Sequence, residues 1–267
     1  MNICVIGATG RMGSRIVELI DSDEELELTG AVEAEGSNFI GKDICEICKI
    51  RKTGIIVKSD LIRAAQNANV LIDFSGEHGT VSNIESYKKL RKPLVVGSTG
   101  LDERTLEELR KMSLFCPILV SPNMSTGINL LFKLTEIVSK TLKKDFDIEI
   151  IEAHHRNKKD APSGTAMKLA QVIAETLNRD LEKDAVYFRK GLIGTRTEKE
   201  IGIQTIRGGD IVGDHTVMFC GDGERLELVH RASNRDTFAR GAIKAALWLA
   251  NKSAGFYNMS DVLGFKN

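Results

Sequence analysis

The sequence predicts an α/β protein: an N-terminal doubly wound parallel sheet, an α+β domain on a mixed sheet, and a C-terminal segment that returns to the first domain. Three observations lead there. Through the first 124 residues, short apolar runs alternate with helix-spaced segments, the pattern of parallel strands joined by right-handed crossovers. After Asn123 the pattern becomes one long helical stripe followed by alternating strands and a hairpin signal. The last long segment, "RDTFARGAIKAALWLANK", is amphipathic and suited to pack back on the first domain. The predicted boundaries are 1–124, 125–234 and 235–267.

Each element has its own signal. "NICVIG" is a short apolar strand, and "RMGSRIVELIDS" puts Met12, Ile16, Leu19 and Ile20 on one helical face. "LELTGAV", "GIIVKS", "NVLIDFS", "KPLVVGS" and "CPILVSP" follow as strands, with helices in "SDLIRAAQN" and "DERTLEELRKM". Strands apolar throughout are expected where helices cover both faces of a sheet. Beyond them, Ser125 or Thr126 can cap a helix carrying Leu131, Leu134, Val138 and Leu142 on one stripe. "FDIEIIEAHH" alternates like a strand, and "HTVMFCGDGERLELVH" reads as two strands joined through Gly221, Asp222 and Gly223.

Bulk composition excludes some classes. Hydrophobic residues make up 42% and charged residues 28%, as in globular proteins, and 37 Lys plus Arg balance 37 Asp plus Glu. Zero net charge gives no support to a nucleic-acid or membrane-surface partner. No signal-peptide pattern or apolar run of roughly 20 residues is present, so the expected location is the cytoplasm. The five cysteines are odd in number and scattered, which argues against a disulfide framework. Cys45 and Cys48 form a C-x-x-C without a second pair or nearby histidine, so no metal centre is expected.

"VIGATGRMG" places Gly7, Gly10 and Gly13 between the first strand and its helix. Glycines there allow a tight turn and bring backbone amides close to a pyrophosphate at the helix's positive end. Glu33 closes the second strand, where a carboxylate can accept hydrogen bonds from ribose hydroxyls. Strand, loop, helix and acid in that order point to a dinucleotide. Ala34 and Glu35 follow Glu33, so the usual nearby arginine for a 2′-phosphate is missing and NADH is favoured, with Arg11 leaving NADPH possible. "DFSGEH", "GSTG" at 97–100 and "SPNMSTG" at 121–127 leave the same sheet edge, where ligands bind in open parallel sheets.

"IEAHHRNKKDAPSGTA", residues 151–166, gathers the second set. Strand alternation sends His154 and His155 in opposite directions, so they are poor co-ligands of one metal. Imidazole changes protonation near neutral pH, and Lys158 and Lys159 bring positive charge. Ser163 is suited to cap the helix of "AMKLAQVIAETL", and the amides near Gly164 and Thr165 would form a carboxylate-sized anion site. A proton donor, a cation and an anion cradle are what hydride transfer to a polarised acidic substrate requires.

With those residues in view, the chain resembles the 4-hydroxy-tetrahydrodipicolinate reductase family, formerly dihydrodipicolinate reductase. "GATGRMG", "VGSTG", "SPNMSTG", "EAHHRNKKDAPSGTA" and "GGDIVGDHTVMF" occur in the family's order over essentially the whole chain. The resemblance implies reduction, by NADH or NADPH, of the cyclic product of dihydrodipicolinate synthase on the route to diaminopimelate and lysine. It implies His154 as the acid–base residue and Lys158 as second proton donor or charge stabiliser. It implies substrate contacts at His155, Ser163, Gly164 and Thr165. Cofactor contacts are implied at Gly7, Ala8, Thr9, Gly10, Arg11, Met12, Glu33, Gly97, Ser98, Thr99, Ser121, Pro122, Asn123 and Met124. Ala34 departs from the arginine that NADPH-using members can carry, and Ser98 and Met124 replace residues common elsewhere in the family. A small dicarboxylate substrate and a homotetramer assembled through the second domain's sheet are further implications.

Two rivals compete. A two-domain oxidoreductase of aspartate-dehydrogenase type explains the nucleotide loop but not the complete "HHRNKKDAPSGT". A nonenzymatic NAD(H) sensor would bind cofactor without a proton donor and anion cradle.

Overall fold

The structure is a computed structural model that describes residues 1–265. It forms two compact units: residues 1–126 with the chain from Arg235 onward, and Gly127–Asn234.

The first unit runs β1 (Asn2–Ile6), α1 (Gly13–Asp21), β2 (Glu27–Val32), β3 (Val57–Lys58), α2 (Leu61–Ala64), β4 (Val70–Asp73), α3 (Gly76–Leu90), β5 (Leu94–Val96), α4 (Glu103–Met112) and β6 (Pro117–Val120). Helix α5 (Thr126–Leu142) starts at the boundary. The second unit continues with β7 (Asp147–His154), α6 (Gly164–Leu177), α7 (Leu181–Asp184), β8 (Ala185–Val186), β9 (Ile201–Arg207), β10 (Gly213–Gly221) and β11 (Glu224–Ala232). The chain then returns to the first unit as α8 (Asp236–Leu249), β12 (Gly255–Tyr257) and α9 (Met259–Val262).

The first unit's sheet has the order β12-β6-β5-β4-β1-β2-β3, with parallel pairing throughout. Alternation along β1 shows why its strands are apolar end to end. Ile3 and Val5 enter one core with Ile16, Ala242 and Ala246, while Cys4 and Ile6 enter another with Leu61, Tyr87 and Leu109. Burying an isoleucine in such a core stabilises by about 1.5–3 kcal/mol. The strand order reverses at β1, flanked by β4 and β2, so ligand-binding loops are expected beyond its C-terminal end.

The predicted pattern misses some elements. Helix α3 occupies 76–90, a stretch without a strong stripe, and buries only Thr80, Ile84 and Tyr87. "GIIVKS" pairs as a strand only at Val57–Lys58. In α5 the buried residues include Ile128, Leu131, Thr135 and Ser139, while Leu134 is 37% exposed. The expected stripe is corrected because two hydroxyl side chains share the inward face, which apolarity alone assigns to leucine.

The second unit's sheet has the order β11-β10-β7-β9-β8. Strand β10 is antiparallel to β11 and β7, and β7 is parallel to β9, so the sheet is mixed. One face carries Ile148, Ile150, Ile201, Ile203, Val217 and Phe219, which pack with Leu169, Ala170 and Ile173 of α6.

Candidate active site

The loops after β1, β2, β4, β5 and β6 leave the C-terminal edge of the parallel sheet side by side. The glycine loop follows β1, and its amides at Gly7 and Ala8 donate to Val32 O at 2.9 and 3.1 Å, tying it to the end of β2. Gly7 has φ +74°, and a Cβ on Gly13 would stand 1.9 Å from Gly7 O, so the loop folds back on the helix start at a distance only glycine allows. Thr9 donates to Glu33 Oε1 twice, through N at 2.8 Å and Oγ1 at 2.7 Å. Phe74 bridges the glycine loop and the loop after β5: Gly7 lies against its carbonyl and Gly97 against its ring. Ser98 Oγ accepts from Gly76 N at 3.1 Å. Ser121 Oγ donates to Asn123 O at 2.8 Å, and Met124 O lies against Gly241. The buried Asp73 accepts from Ser75, Thr80 and Tyr87 and anchors this edge.

In the second unit, three strands turn from apolar to polar at one level of the core face. Strand β7 passes from Ile148 and Ile150 to Glu152 and His154. Strand β9 passes from Ile201 and Ile203 to Thr205 and Arg207, and β10 runs antiparallel from Phe219 and Val217 to His215. Registry sets Glu152 beside Thr205 and His215, and His154 beside Arg207. Alternation keeps these side chains on one face, and the N-terminus of α6 covers it.

Glu152 organises that face. Its Oε2 accepts from His154 Nδ1 at 2.5 Å and from Arg207 Nη1 at 2.8 Å. Its Oε1 accepts from Ser163 N at 3.0 Å, Arg207 Nη2 at 2.8 Å and Thr205 Oγ1 at 3.2 Å. Ser163 caps α6 by accepting from Ala166 N at 3.2 Å, and its Oγ pairs with His215 Nε2 at 3.1 Å. Gly164 and Thr165 open the helix at its positive end. The rings of His154 and His215 meet edge to face at 5.2 Å. Lys158 Nζ pairs with Asp160 at 2.8 Å, and Arg207 Nη2 donates to Asp160 O at 2.7 Å.

The electrostatics follow from this packing. Burial pushes the Glu152 carboxyl up, but bonds from Arg207, His154 and Ser163 N outweigh it and hold it at about 2. Burial pulls His154 below the usual imidazole value, Glu152 pulls it back up, and Lys158 and Arg207 pull it down again. Burial and the neighbouring His154 push His215 down to about 3. Near neutral pH the face therefore holds an ionised carboxylate, a neutral His215 and an imidazole able to exchange a proton.

Comparison with known proteins agrees with this geometry. The family model for the N-terminus of dihydrodipicolinate reductase matches residues 1–124, and that for its C-terminus matches 127–263. The chain belongs to the dihydrodipicolinate reductase family. A 4-hydroxy-tetrahydrodipicolinate reductase of Syntrophus aciditrophicus (strain SB) is 49% identical over 263 residues, 98% of each chain. That of Syntrophobacter fumaroxidans (strain DSM 10017 / MPOB) is 51% identical over 262 residues, again 98% of each. A solved dipicolinate-bound dihydrodipicolinate reductase from Paenisporosarcina sp. TG-14 has the same fold, with a TM-score of 0.76, 22% identity and 97% of each chain covered. A probable dehydrogenase from Thermotoga maritima shares the fold more loosely, with a TM-score of 0.60, 11% identity, and 98% of this chain and 92% of that one covered. Membership of this reductase family makes the chain an NAD(P)H-dependent oxidoreductase and sets aside the aspartate-dehydrogenase-type and sensor readings.

The first unit fits the dinucleotide that the dihydrodipicolinate reductase family uses. The amides of Arg11 and Met12 donate to no other backbone group among the described residues, and they stand where Gly7 and Gly13 close the turn. Gly7 to Met12, Glu33, Gly97 to Thr99 and Ser121 to Met124 all lie on loops from the one sheet edge. Glu33 is already held by Thr9 through Oε1. Among the second-unit residues, His154 ends β7, His155, Lys158 and Ser163 lie on the connection that follows, and Gly164 and Thr165 open α6. Ser163 is buried and committed to the cap, to Glu152 and to His215. Among the described residues, no group of three or more His, Cys, Asp or Glu could hold a metal ion. No helix is long and apolar enough to cross a membrane among the same residues.

Thr205, Arg207 and His215 escaped the sequence reading. Arg207 lies on β9, a strand absent from the predicted set. The signal available was the parallel apolar-to-polar step in "DIEIIEAH", "IGIQTIR" and, reversed, "GDHTVMF".

Proposed function

We propose that the chain reduces 4-hydroxy-tetrahydrodipicolinate with NADH as the favoured donor, with His154 as the general acid. The observation that carries this reading is the His154–Glu152–Arg207 arrangement beside the capped start of α6, in a chain that matches this reductase family over both halves.

The amides of the glycine loop and the positive end of α1 receive the pyrophosphate, and Glu33 receives a ribose hydroxyl through its second oxygen. Bound NADH supplies the hydride. A substrate carboxylate is held by the start of α6 at Gly164 and Thr165, with the Lys158 ammonium as counter-charge and His155 as a further contact. Fixing that carboxylate removes rotational freedom from the reacting ring. His154 delivers a proton from Nε2 to balance the electron density that hydride addition leaves on the ring, and the 4-hydroxyl is lost as water, so that substrate, NADH and one proton give tetrahydrodipicolinate, NAD+ and water. Lys158 assists by stabilising that charge. The expected location is the cytoplasm. The sheet face opposite α6 carries Ile206 at 50% exposure and Val229 at 48%, and we assign the homotetramer contact to it.

A steady-state assay tests the reading: the purified product of dihydrodipicolinate synthase is supplied and loss of NADH absorbance is followed. Turnover is expected with kcat/KM higher for NADH than NADPH. The His154→Gln variant is expected to lose about 100- to 10,000-fold in kcat with NADH binding retained. Near-normal turnover in that variant overturns the acid assignment.

A further inference from the structure

Glu152 joins the two halves of the second-unit site. One oxygen holds the imidazole of His154 at 2.5 Å, and the other holds the Ser163 amide, at the cap of α6, at 3.0 Å. The side chain is 0% exposed. The strand reaches it after Ile148 and Ile150, so an apolar residue would continue the core stripe there without the desolvation cost of a buried charge. A buried carboxylate at this position is therefore no packing solution.

We propose that Glu152 is a positioning residue for His154: it fixes the imidazole as the Nδ1–H tautomer, so that Nε2 exchanges the proton, and it locks the start of α6 at a set place relative to that ring. The proposal rests on the acid role given to His154 above.

The geometry supports each part. An ionised carboxylate only accepts hydrogen bonds, so Nδ1 has to donate. Nε2 has no hydrogen bond among the described residues, and Gly213 keeps its surroundings clear, since a Cβ there would stand 3.1 Å away. The groups facing the imidazole are Glu152 from β7, Arg207 from β9, His215 from β10 and Lys158 from the following loop, itself paired with Asp160. Arg207 binds both oxygens of Glu152, so the carboxylate stays ionised when Nε2 takes up a proton and stabilises the imidazolium without receiving its proton. The carboxyl held at about 2 agrees with that state. Carboxylate, imidazole and helix cap then move as one body, which holds proton donor and anion site in fixed register.

Two measurements test this. In Glu152→Gln, kcat is expected to fall about 100-fold, the lower end of what a positioned acid supplies. The alkaline limb of the kcat profile is expected to move to lower pH by about one unit or more, because the anion that favours the imidazolium is gone. A purely structural carboxylate would lower the melting temperature and leave that limb in place; a folded variant with an unmoved limb overturns the proposal. The second measurement needs no variant that must tolerate loss of the charge. Long-range proton–nitrogen correlation spectra of the full wild-type chain, labelled at histidine nitrogen, are expected to show neutral His154 protonated at Nδ1, with His154→Gln assigning the signal. An Nε2–H tautomer overturns this proposal alone. Wild-type turnover in His154→Gln overturns it together with the acid role on which it rests.

Discussion

Arg207 grips both carboxylate oxygens of Glu152, Nη1 to Oε2 at 2.8 Å and Nη2 to Oε1 at 2.8 Å. The pair joins adjacent strands, and a fork of parallel donors matches the carboxylate as a lysine could not. Its absolute contribution is small, because two ions leave water to form it. Its removal from one side is another matter, because Glu152 would remain buried with its charge uncompensated.

The first prediction follows. Arg207→Met is expected to destabilise the second unit by about 3 kcal/mol, at the low end for breaking a buried pair from one side. Arg207→Lys should recover only part of this, since an ammonium is a point charge without the fork. Urea unfolding at neutral pH measures both, and equal midpoints for the Lys and Met variants would show that the bidentate geometry contributes nothing. The double variant Arg207→Met with Glu152→Leu is expected to be more stable than Arg207→Met alone, because it removes the orphaned charge.

The second prediction concerns acid stability. His215 is held at about 3, below its ordinary 6.5, so on acidification the unfolded chain takes the proton first. Its contribution is complete above about 6.5 and is lost as pH falls toward 3. Glu152, held at about 2 against 4.5, acts with the same sign but only below about 4.5. Between pH 7.5 and 5 the wild-type chain should therefore lose about 2 kcal/mol through His215. His154 and His230, both lowered, add in the same direction. His215→Gln, which can keep a bond to Ser163, should flatten that segment of the curve. Denaturant midpoints at the two pH values decide it, and an unchanged slope would rule His215 out as the titrating group.

The parallel sheet was legible because alternating apolar runs and helical stripes repeat over many residues, and such a pattern locates the strand ends where Gly7 and Glu33 stand and the helix start at Gly13. His154, Lys158 and the Ser163 cap were legible because one segment of 16 residues holds them all. Glu152 stands two residues before His154, where strand alternation puts both on one face, yet its partners leave no such local trace. Thr205 and Arg207 lie on β9 and His215 on β10, and they reach Glu152 only through strand registry across sequence separations of 53, 55 and 63 residues (205 − 152, 207 − 152 and 215 − 152). No local periodicity carries that. Helix α3 was missed for the opposite reason, since its "GEHGTVSN" start carries little apolar signal and only Thr80, Ile84 and Tyr87 turn inward.

The last prediction addresses cofactor choice. Glu33 keeps Oε1 engaged by Thr9, and among the described residues its Oε2 accepts only a long 3.3 Å bond from Ala34 N. Ala34 and Glu35 are exposed beside it, so in the proposed binding mode the adenosine end would meet two carboxylates and, at position 34, no cation. A 2′-phosphate placed there meets like charge, whereas a 2′-hydroxyl finds an acceptor. Ala34→Arg adds a guanidinium at the strand end without disturbing the Thr9–Glu33 bonds. A charge-assisted hydrogen bond of about 1.5–3 kcal/mol corresponds to a shift of roughly 10-fold or more in the kcat/KM ratio toward NADPH. The gain should shrink as ionic strength rises, since the group lies at the surface. If both cofactors bind the variant with the wild-type ratio, charge at position 34 does not set the preference, and Arg11 becomes the residue to vary.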